Sequence, residues 1–227
     1  MIQKPTAILF DWDNTLADNW PVINAAMNAA LQKFNRPPLS MDESIRYARM
    51  PHEQSFPTLF GDDWPKGKAL FYENFQAQHL EHIKLLPGAR ELLTWLQSKN
   101  IYLAIVSNKN GAFLRKEVEF LGLSPYFAAI IGAGDAASDK PDKVAMLAAL
   151  SGLSTWNDQD CRLDYWPDYL MVGDTDVDLR AGKNMGFVSV LITNSPITSN
   201  DYSDCPPQFI LADLYGLKDL LQPFFLD

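Results

Sequence analysis

The sequence predicts an α/β protein built on a doubly wound parallel sheet, Rossmann-like in its core, with a helical subdomain inserted after the first strand. Three observations predict it. Short continuous apolar runs recur: TAILF (Thr6 to Phe10), IYLAIV (Ile101 to Val106), AAIIGAG (from Ala128), YLMVG (Tyr169 to Gly173), FVSVLI (Phe187 to Ile192) and the shorter FILADL (Phe209 to Leu214). Each is followed by a loop rich in Asp, Ser, Asn or Gly and then by a segment of helical period, the pattern of a parallel sheet covered on both faces. The gap between the first two runs is too long for a single crossover.

That gap, from about Leu16 to about Leu85, reads as helices only. Pro21 to Phe34 is Ala-rich, Ser40-Met41-Asp42-Glu43 has the form of a capping box, and Pro65 to Ile83 repeats apolar residues at helical spacing. Pro87-Gly88 restarts the α/β alternation. The predicted division is an α/β core of residues 1–15 and 86–227 and a helical cap of residues 16–85, hinged near Leu16 to Asn19 and near Leu85 to Gly88. Between Gly152 and Asp168 lies a polar stretch with two Trp and no clear period, read as a surface elaboration or an interaction loop. Asn194 to Pro207 reads as a long polar loop.

Composition narrows the function. The 227 residues suit one full domain with a smaller second one, and 47% hydrophobic content is ordinary for a globular protein. A net charge of −9 repels a polyphosphate backbone, which argues against a nucleic-acid partner. No apolar run reaches the ~18 residues of a membrane span, and the N-terminus meets its first acidic pair before any signal-peptide core develops. A soluble cytoplasmic protein is expected, without a membrane partner. The two cysteines, Cys161 and Cys205, lack metal-type spacing and read as a chance pair of cytosolic thiols.

In open α/β sheets ligands sit beyond the carboxyl ends of the strands. The residues standing there are Asp11-Trp12-Asp13-Asn14-Thr15, then Ser107-Asn108-Lys109, then Lys140 of ASDKPDK, then Gly173-Asp174-Thr175-Asp176-Val177-Asp178. Carboxylates crowded together are driven toward protonation unless a cation compensates, and an all-oxygen set suits Mg²⁺. Ser107, nearby backbone N–H groups and the Lys140 ammonium supply donors and positive charge for a phosphoryl group. Asp11 is the natural nucleophile, and Asp13, two residues on, the general acid and then base. The candidate catalytic set is therefore Asp11, Asp13, Ser107 and Lys140. Asn14, Thr15, Ser107, Asn108 and Lys140 form the substrate-binding set.

The order DxDxT, SN, KP and GDxxxD resembles the haloacid dehalogenase-like superfamily of hydrolases, in particular its phosphoglycolate phosphatase-like branch. LPGARELL (from Leu86) and DLRAGKNMGF (from Asp178) look like the branch's connecting segments, so the resemblance covers most of the chain. It implies a metal site of Asp11, the backbone carbonyl of Asp13, and Asp174, with Asp178 as support. It also implies a mobile cap closing over small phosphorylated substrates. Asn14 stands where Gly is commoner, but Asn tolerates left-handed backbone. The Gly152 to Asp168 stretch is longer than the connection expected there.

Blander readings apply to other residues. Pro141 is expected to open the helix behind Lys140, which favours Lys140 over Lys143 as the inward lysine. Asp176 and Asp178 also fit as N-terminal helix charges. His79 and His82 read as a solvated face. Arg46, Arg49, His52 and Lys68 are cap residues able to meet a substrate's far end, though each reads first as solvent-exposed. Trp12 and Trp20 read as packing residues. The functional expectation is a Mg²⁺-dependent phosphatase for a small phosphorylated metabolite. A phosphotransferase or sugar-phosphate mutase of the same superfamily is the alternative. A dehalogenase fits worse, since it needs neither metal nor Asp13, and a non-catalytic protein would have lost catalytic residues. The exact substrate and the oligomeric state stay open.

Overall fold

The structure is a computed structural model and describes residues 2–48, 50, 52–156, 165–196 and 202–226, the side chain of residue 52 excepted. The chain divides into two compact units, Met1–Ala17 with Leu85–Asp227, and Asp18–Lys84.

The first unit is built on a six-stranded sheet. Its strands are β1 (Ala7–Phe10), β4 (Tyr102–Asn110), β5 (Ala129–Ala133), β6 (Trp166–Gly173), β7 (Phe187–Ile192) and β8 (Phe209–Leu211), in the spatial order β5-β4-β1-β6-β7-β8. Every pairing is parallel, and β1 lies at the centre with Ala7 opposite Tyr102 on one side and Tyr169 on the other. All four residues of β1 and all six of β7 are buried, which is why they read as continuous apolar runs rather than alternating ones.

Side-chain alternation divides the central strands between two faces. Ala7, Leu9, Ala104, Val106 and Met171 form one cluster with Met146, Ala149 and Leu150 of α7 (Lys143–Leu150) and Ala181 and Met185 of α8 (Asp176–Met185). The remaining helices of the unit are α5 (Ala89–Ser98), α6 (Gly111–Phe120) and α9 (Leu214–Leu221). They bury Leu92, Leu93 and Leu96, Leu114 and Val118, and Leu217 and Leu221 respectively.

The second unit consists mainly of α1 (Trp20–Lys33), α2 (Met41–Ala48), α3 (His52–Phe60) and α4 (Trp64–His82). Its core is aromatic: Phe56 packs on Phe60 and edge-on to Phe71, at centroid distances of 6.1 and 5.6 Å. Gly67 of α4 lets the helices approach, since a Cβ there would stand 2.4 Å from the Phe60 ring. The capping box forms: Ser40 donates through N and Oγ to Glu43 Oε2 at 2.8 and 2.9 Å.

Several details depart from the sequence reading. The stretch from Leu16 to Leu85 is not purely helical: β2 (Ala17–Asp18) and β3 (Lys84–Leu85) pair as a two-stranded sheet, too short to leave a period. FILADL ends as a strand at Leu211, because the Asp213 side chain accepts from the Gly216 N–H and starts α9. β6 starts at Trp166 rather than Tyr169, so the end of the Gly152 to Asp168 stretch belongs to the sheet. Its two tryptophans are not surface features, for Trp156 and Trp166 each sit 5.3 Å from the Tyr169 ring. Residues 157–164 of that stretch, with Cys161, lie outside the described residues, as do 197–201 of the second loop. Cys205 is buried and unpaired. His79 is also buried, 3% exposed and stacked on Phe75, because α4 packs more of its surface than its polar sequence suggests.

Candidate active site

Four segments meet beyond the carboxyl ends of β1, β4, β5 and β6. Asp11 follows β1 directly, Asp174 follows β6, its neighbour in the sheet, and Lys140 lies in the connection from β5 to α7. The Lys140 ammonium donates to Asp11 Oδ1 and to Asp178 Oδ1, both at 2.6 Å, with only 2% of its side chain exposed. Asp178 is fixed in turn, since its Oδ2 accepts from the Thr175 N–H at 3.0 Å and from Thr175 Oγ1 at 2.7 Å. That capping box starts α8 and aims Asp178 inward rather than leaving it as a solvated helix charge. Gly173 makes the approach possible, as a Cβ there would stand 2.2 Å from Asp178 Cγ. Asp176 shows the other behaviour, exposed and paired with Arg180 one turn on.

One carboxylate oxygen from each of Asp11, Asp174 and Asp178 lies within 4.8 Å of the others. With Lys140 the group carries a net charge of about −2 when fully ionised. Burial, opposed by Lys140 and reinforced by Asp178, pushes the Asp11 carboxyl up to about 7. Burial, then repulsion from Asp11 and Asp178, pushes Asp174 up to about 8. Burial works against the Lys140 ammonium too, but the two carboxylates beside it hold its pKa above the ordinary lysine value. An all-oxygen donor set in this excess of negative charge suits a hard divalent cation. The span of 4.8 Å is a little wider than the roughly 4.2 Å between opposite ligands of octahedral Mg²⁺.

Asp13 does not join this carboxylate cluster. Its Oδ1 accepts from the Lys109 ammonium at 2.9 Å. Lys109 also pairs with Glu117 Oε2 at 2.6 Å, and that oxygen accepts from the Trp12 indole N–H at 2.7 Å. Ser107 is buried at the end of β4, where the register shifts between Val106 and Asn110, so the strand runs four residues beyond the expected Val106. Asn108 Nδ2 donates to the Lys140 carbonyl at 2.9 Å and ties two of the loops together. Asn14 adopts φ of +60°, the left-handed conformation its side chain tolerates. Asn14 Oδ1 and Thr15 Oγ1 are buried without a hydrogen-bond partner.

Pro141 does not open the next helix. The Asp142 side chain accepts from the Val144 N–H at 3.0 Å, so α7 starts at Lys143 and Pro141 stands outside it. Lys143 is exposed and Lys140 is the inward lysine. Among the cap candidates, Arg46 is exposed over the Tyr47 ring and Lys68 is half-buried, while Arg49 and the His52 side chain lie outside the described residues. Sequence reasoning placed Lys109 at a strand end but gave it no role, and it overlooked Glu117. The available signal was the spacing Leu114, Glu117, Val118, which puts a carboxylate on the buried stripe of α6.

The sheet order defines a doubly wound α/β fold that carries a carboxylate–ammonium cluster at its strand ends. The chain belongs to the haloacid dehalogenase-like hydrolase family, whose sequence model matches residues 8–192. It is 26% identical to phosphoglycolate phosphatase 1 of Pseudomonas aeruginosa over 96% of this chain and 79% of that one. Among solved structures, a HAD-superfamily hydrolase of Ehrlichia chaffeensis is 26% identical, covers 100% of both chains and superposes with a TM-score of 0.65. A haloacid dehalogenase-like hydrolase of Streptococcus pneumoniae, 23% identical over 97% of this chain and 99% of that one, reaches 0.75. The relatives place the resemblance in the phosphoglycolate phosphatase-like branch. No helix among the described residues is long and apolar enough to cross a membrane.

Proposed function

We propose that the chain is a cytoplasmic, Mg²⁺-dependent phosphatase that hydrolyses a small phosphorylated metabolite through an aspartyl-phosphate on Asp11. The observation that carries this reading is the group of Asp11, Asp174 and Asp178, three clustered carboxylates of which Lys140 bonds two, Asp11 and Asp178. Asp11, Asp174 and the Asp13 carbonyl are the assigned metal ligands, with Asp178 close enough to support them. Bound Mg²⁺ would offset the excess negative charge and polarise the phosphoryl group.

In the first half-reaction an Asp11 carboxylate oxygen attacks phosphorus and the bond from phosphorus to the substrate's alcohol oxygen breaks. Asp13 gives its proton to that departing oxygen. In the second, Asp13 takes a proton from water as the water attacks phosphorus, and the bond to Asp11 breaks, releasing phosphate. Ser107 and Lys140 hold phosphoryl oxygens throughout, and Lys140, bonded to Asp11, limits the charge building up there. The buried Thr15 hydroxyl and the Asn14 amide oxygen, which lack partners, are assigned to the substrate side of the site. We assign the helical unit as the cap that selects substrates. The 26% identity to a phosphoglycolate phosphatase supports phosphoglycolate as the first compound to try.

The test is phosphate release over a panel of phosphorylated metabolites with and without Mg²⁺, with Asp13→Ala as the blank. Stoichiometric, Mg²⁺-dependent phosphate release supports the reading. Interconversion of phosphosugar isomers without net phosphate release would replace it with a mutase.

A further inference from the structure

We propose that Lys109, braced by Glu117, is a positioning residue that orients the Asp13 carboxylate for proton transfer. This rests on Asp13 serving as proton donor and acceptor in the reaction above.

Glu117 is 0% exposed on α6, in a position between Leu114 and Val118 that would ordinarily hold an apolar side chain. Burying an ionised carboxylate costs several kcal/mol unless it is paired and hydrogen-bonded. Glu117 is satisfied by two groups that converge on Oε2, the Trp12 indole N–H and the Lys109 ammonium. Trp12 and Asp13 are consecutive residues. The helix therefore grips this dipeptide at both side chains, directly through the Trp12 ring and indirectly through Lys109, whose ammonium reaches Asp13 Oδ1 at 2.9 Å.

Lys109 is 5% exposed at its side chain, whereas Asp13 is 28% exposed. The brace is thus buried and the group it holds is open on one side. An aspartate open to solvent on one side would ordinarily sample several rotamers. With Oδ1 held by Lys109, Oδ2 is the oxygen left to hand a proton to the leaving group. An ion pair serving stability alone would be complete with Lys109 and Glu117. Extending it to Asp13 adds nothing to the burial of Glu117, but it fixes in place the carboxylate that moves a proton in both half-reactions.

The experiment compares Lys109→Met and Glu117→Gln with wild type at one pH, with Mg²⁺, on two esters of different leaving group. With 2-phosphoglycolate the departing alkoxide needs a proton. With p-nitrophenyl phosphate the phenolate leaves without one. For Lys109→Met we expect kcat on phosphoglycolate to fall about 100-fold with KM little changed, within the range of lost acid–base catalysis. Enzyme phosphorylation by p-nitrophenyl phosphate should fall less than about 5-fold. Hydrolysis of the phosphoenzyme still needs Asp13 as base, so nitrophenolate should appear as a burst of about one equivalent per enzyme.

Glu117→Gln keeps side-chain volume and an acceptor for Trp12, so it reports even if Lys109→Met does not fold. It should show the same selectivity at about 10-fold, and the double variant should be no worse than Lys109→Met alone. Equal losses in the phosphorylation step on both esters, with no nitrophenolate burst, no loss on either ester, or additive losses in the double variant would overturn the positioning role and leave the phosphatase reading intact. Wild type that releases phosphate neither from these esters nor from any compound of the metabolite panel would overturn both.

Discussion

Mg²⁺ affinity should climb steeply with pH, because the carboxyls assigned to the cation hold protons without it. Asp11 is pushed up to about 7 and Asp174 to about 8, both above the ordinary 3.8. The folded metal-free chain therefore binds more protons than the unfolded chain between about pH 4 and 8. Its stability is full below that window and drains as pH rises through it. A cation must displace whatever protons remain, each costing a factor of ten in affinity per pH unit below the group's own value. Going from pH 8.5 to pH 6 costs about two decades at Asp174 and one at Asp11, or about 1,000-fold in all. At fixed Mg²⁺ in excess, that is about 4 kcal/mol of lost ligand stabilisation. Calorimetric titration of Mg²⁺ in two buffers of different ionisation enthalpy reads the protons directly: between one and two released at pH 6.5, few above pH 8.5. The melting-temperature gain from Mg²⁺ should grow over the same interval. Affinity that is flat from pH 6 to 8.5, with no proton release at 6.5, would refute the electrostatic account of the site.

Asp11→Asn should abolish phosphate release, a loss of at least ~10³-fold in kcat, while the fold persists by circular dichroism; unchanged release would remove Asp11 as nucleophile. Gly173→Ala places a Cβ 2.2 Å from Asp178 Cγ, so Asp178 must move. We expect a destabilisation of about 1–3 kcal/mol together with weaker Mg²⁺ binding by calorimetry. Phe56→Ala, at a position 1% exposed between Phe60 and Phe71, should cost about 3–5 kcal/mol in urea unfolding, centred on the helical unit.

The sequence was legible where burial is symmetric. Strands covered on both faces read as nearly unbroken apolar runs, AILF of β1 without a polar residue and FVSVLI of β7 with only the small buried Ser189. It was less legible wherever structure depends on a few residues or on a distant partner. β2 and β3 are two residues each. β4 continues past Val106 through Ser107, Asn108 and Lys109, polar residues that read as loop because a register shift re-aims them. α3 carries Pro57 in its interior, which argues against a helix locally. The spacing of α6 sets Glu117 on its buried stripe, but no local pattern names the partners that satisfy it there, Trp12 and Lys109. A buried charge is visible only once its partners are known.

The same logic explains which carboxyl of the cluster is the most perturbed. Two carboxylate oxygens 4.8 Å apart repel by about 3.5 kcal/mol at an effective dielectric of 20, and closer approach raises this. An ammonium at 2.6 Å attracts each bonded carboxylate by about 6 kcal/mol on the same scale. Lys140 therefore outweighs the repulsion at Asp11 and Asp178, which it touches, and leaves Asp174 facing both without a direct bond to the ammonium. Burial raises both Asp11 and Asp174, and with repulsion from Asp11 and Asp178 less offset by the ammonium, Asp174 goes up to about 8 against about 7 for Asp11. The unmet charge lies between Asp174 and Asp11, the tips of adjacent strands β6 and β1, and that is where a divalent cation would gain most. Because β1 pairs with β6 on one side and β4 on the other, the sheet register alone sets these separations. A slip of one residue in the β1–β6 pairing would turn Asp11 and Asp174 to opposite faces and dissolve the site without removing a single residue from it.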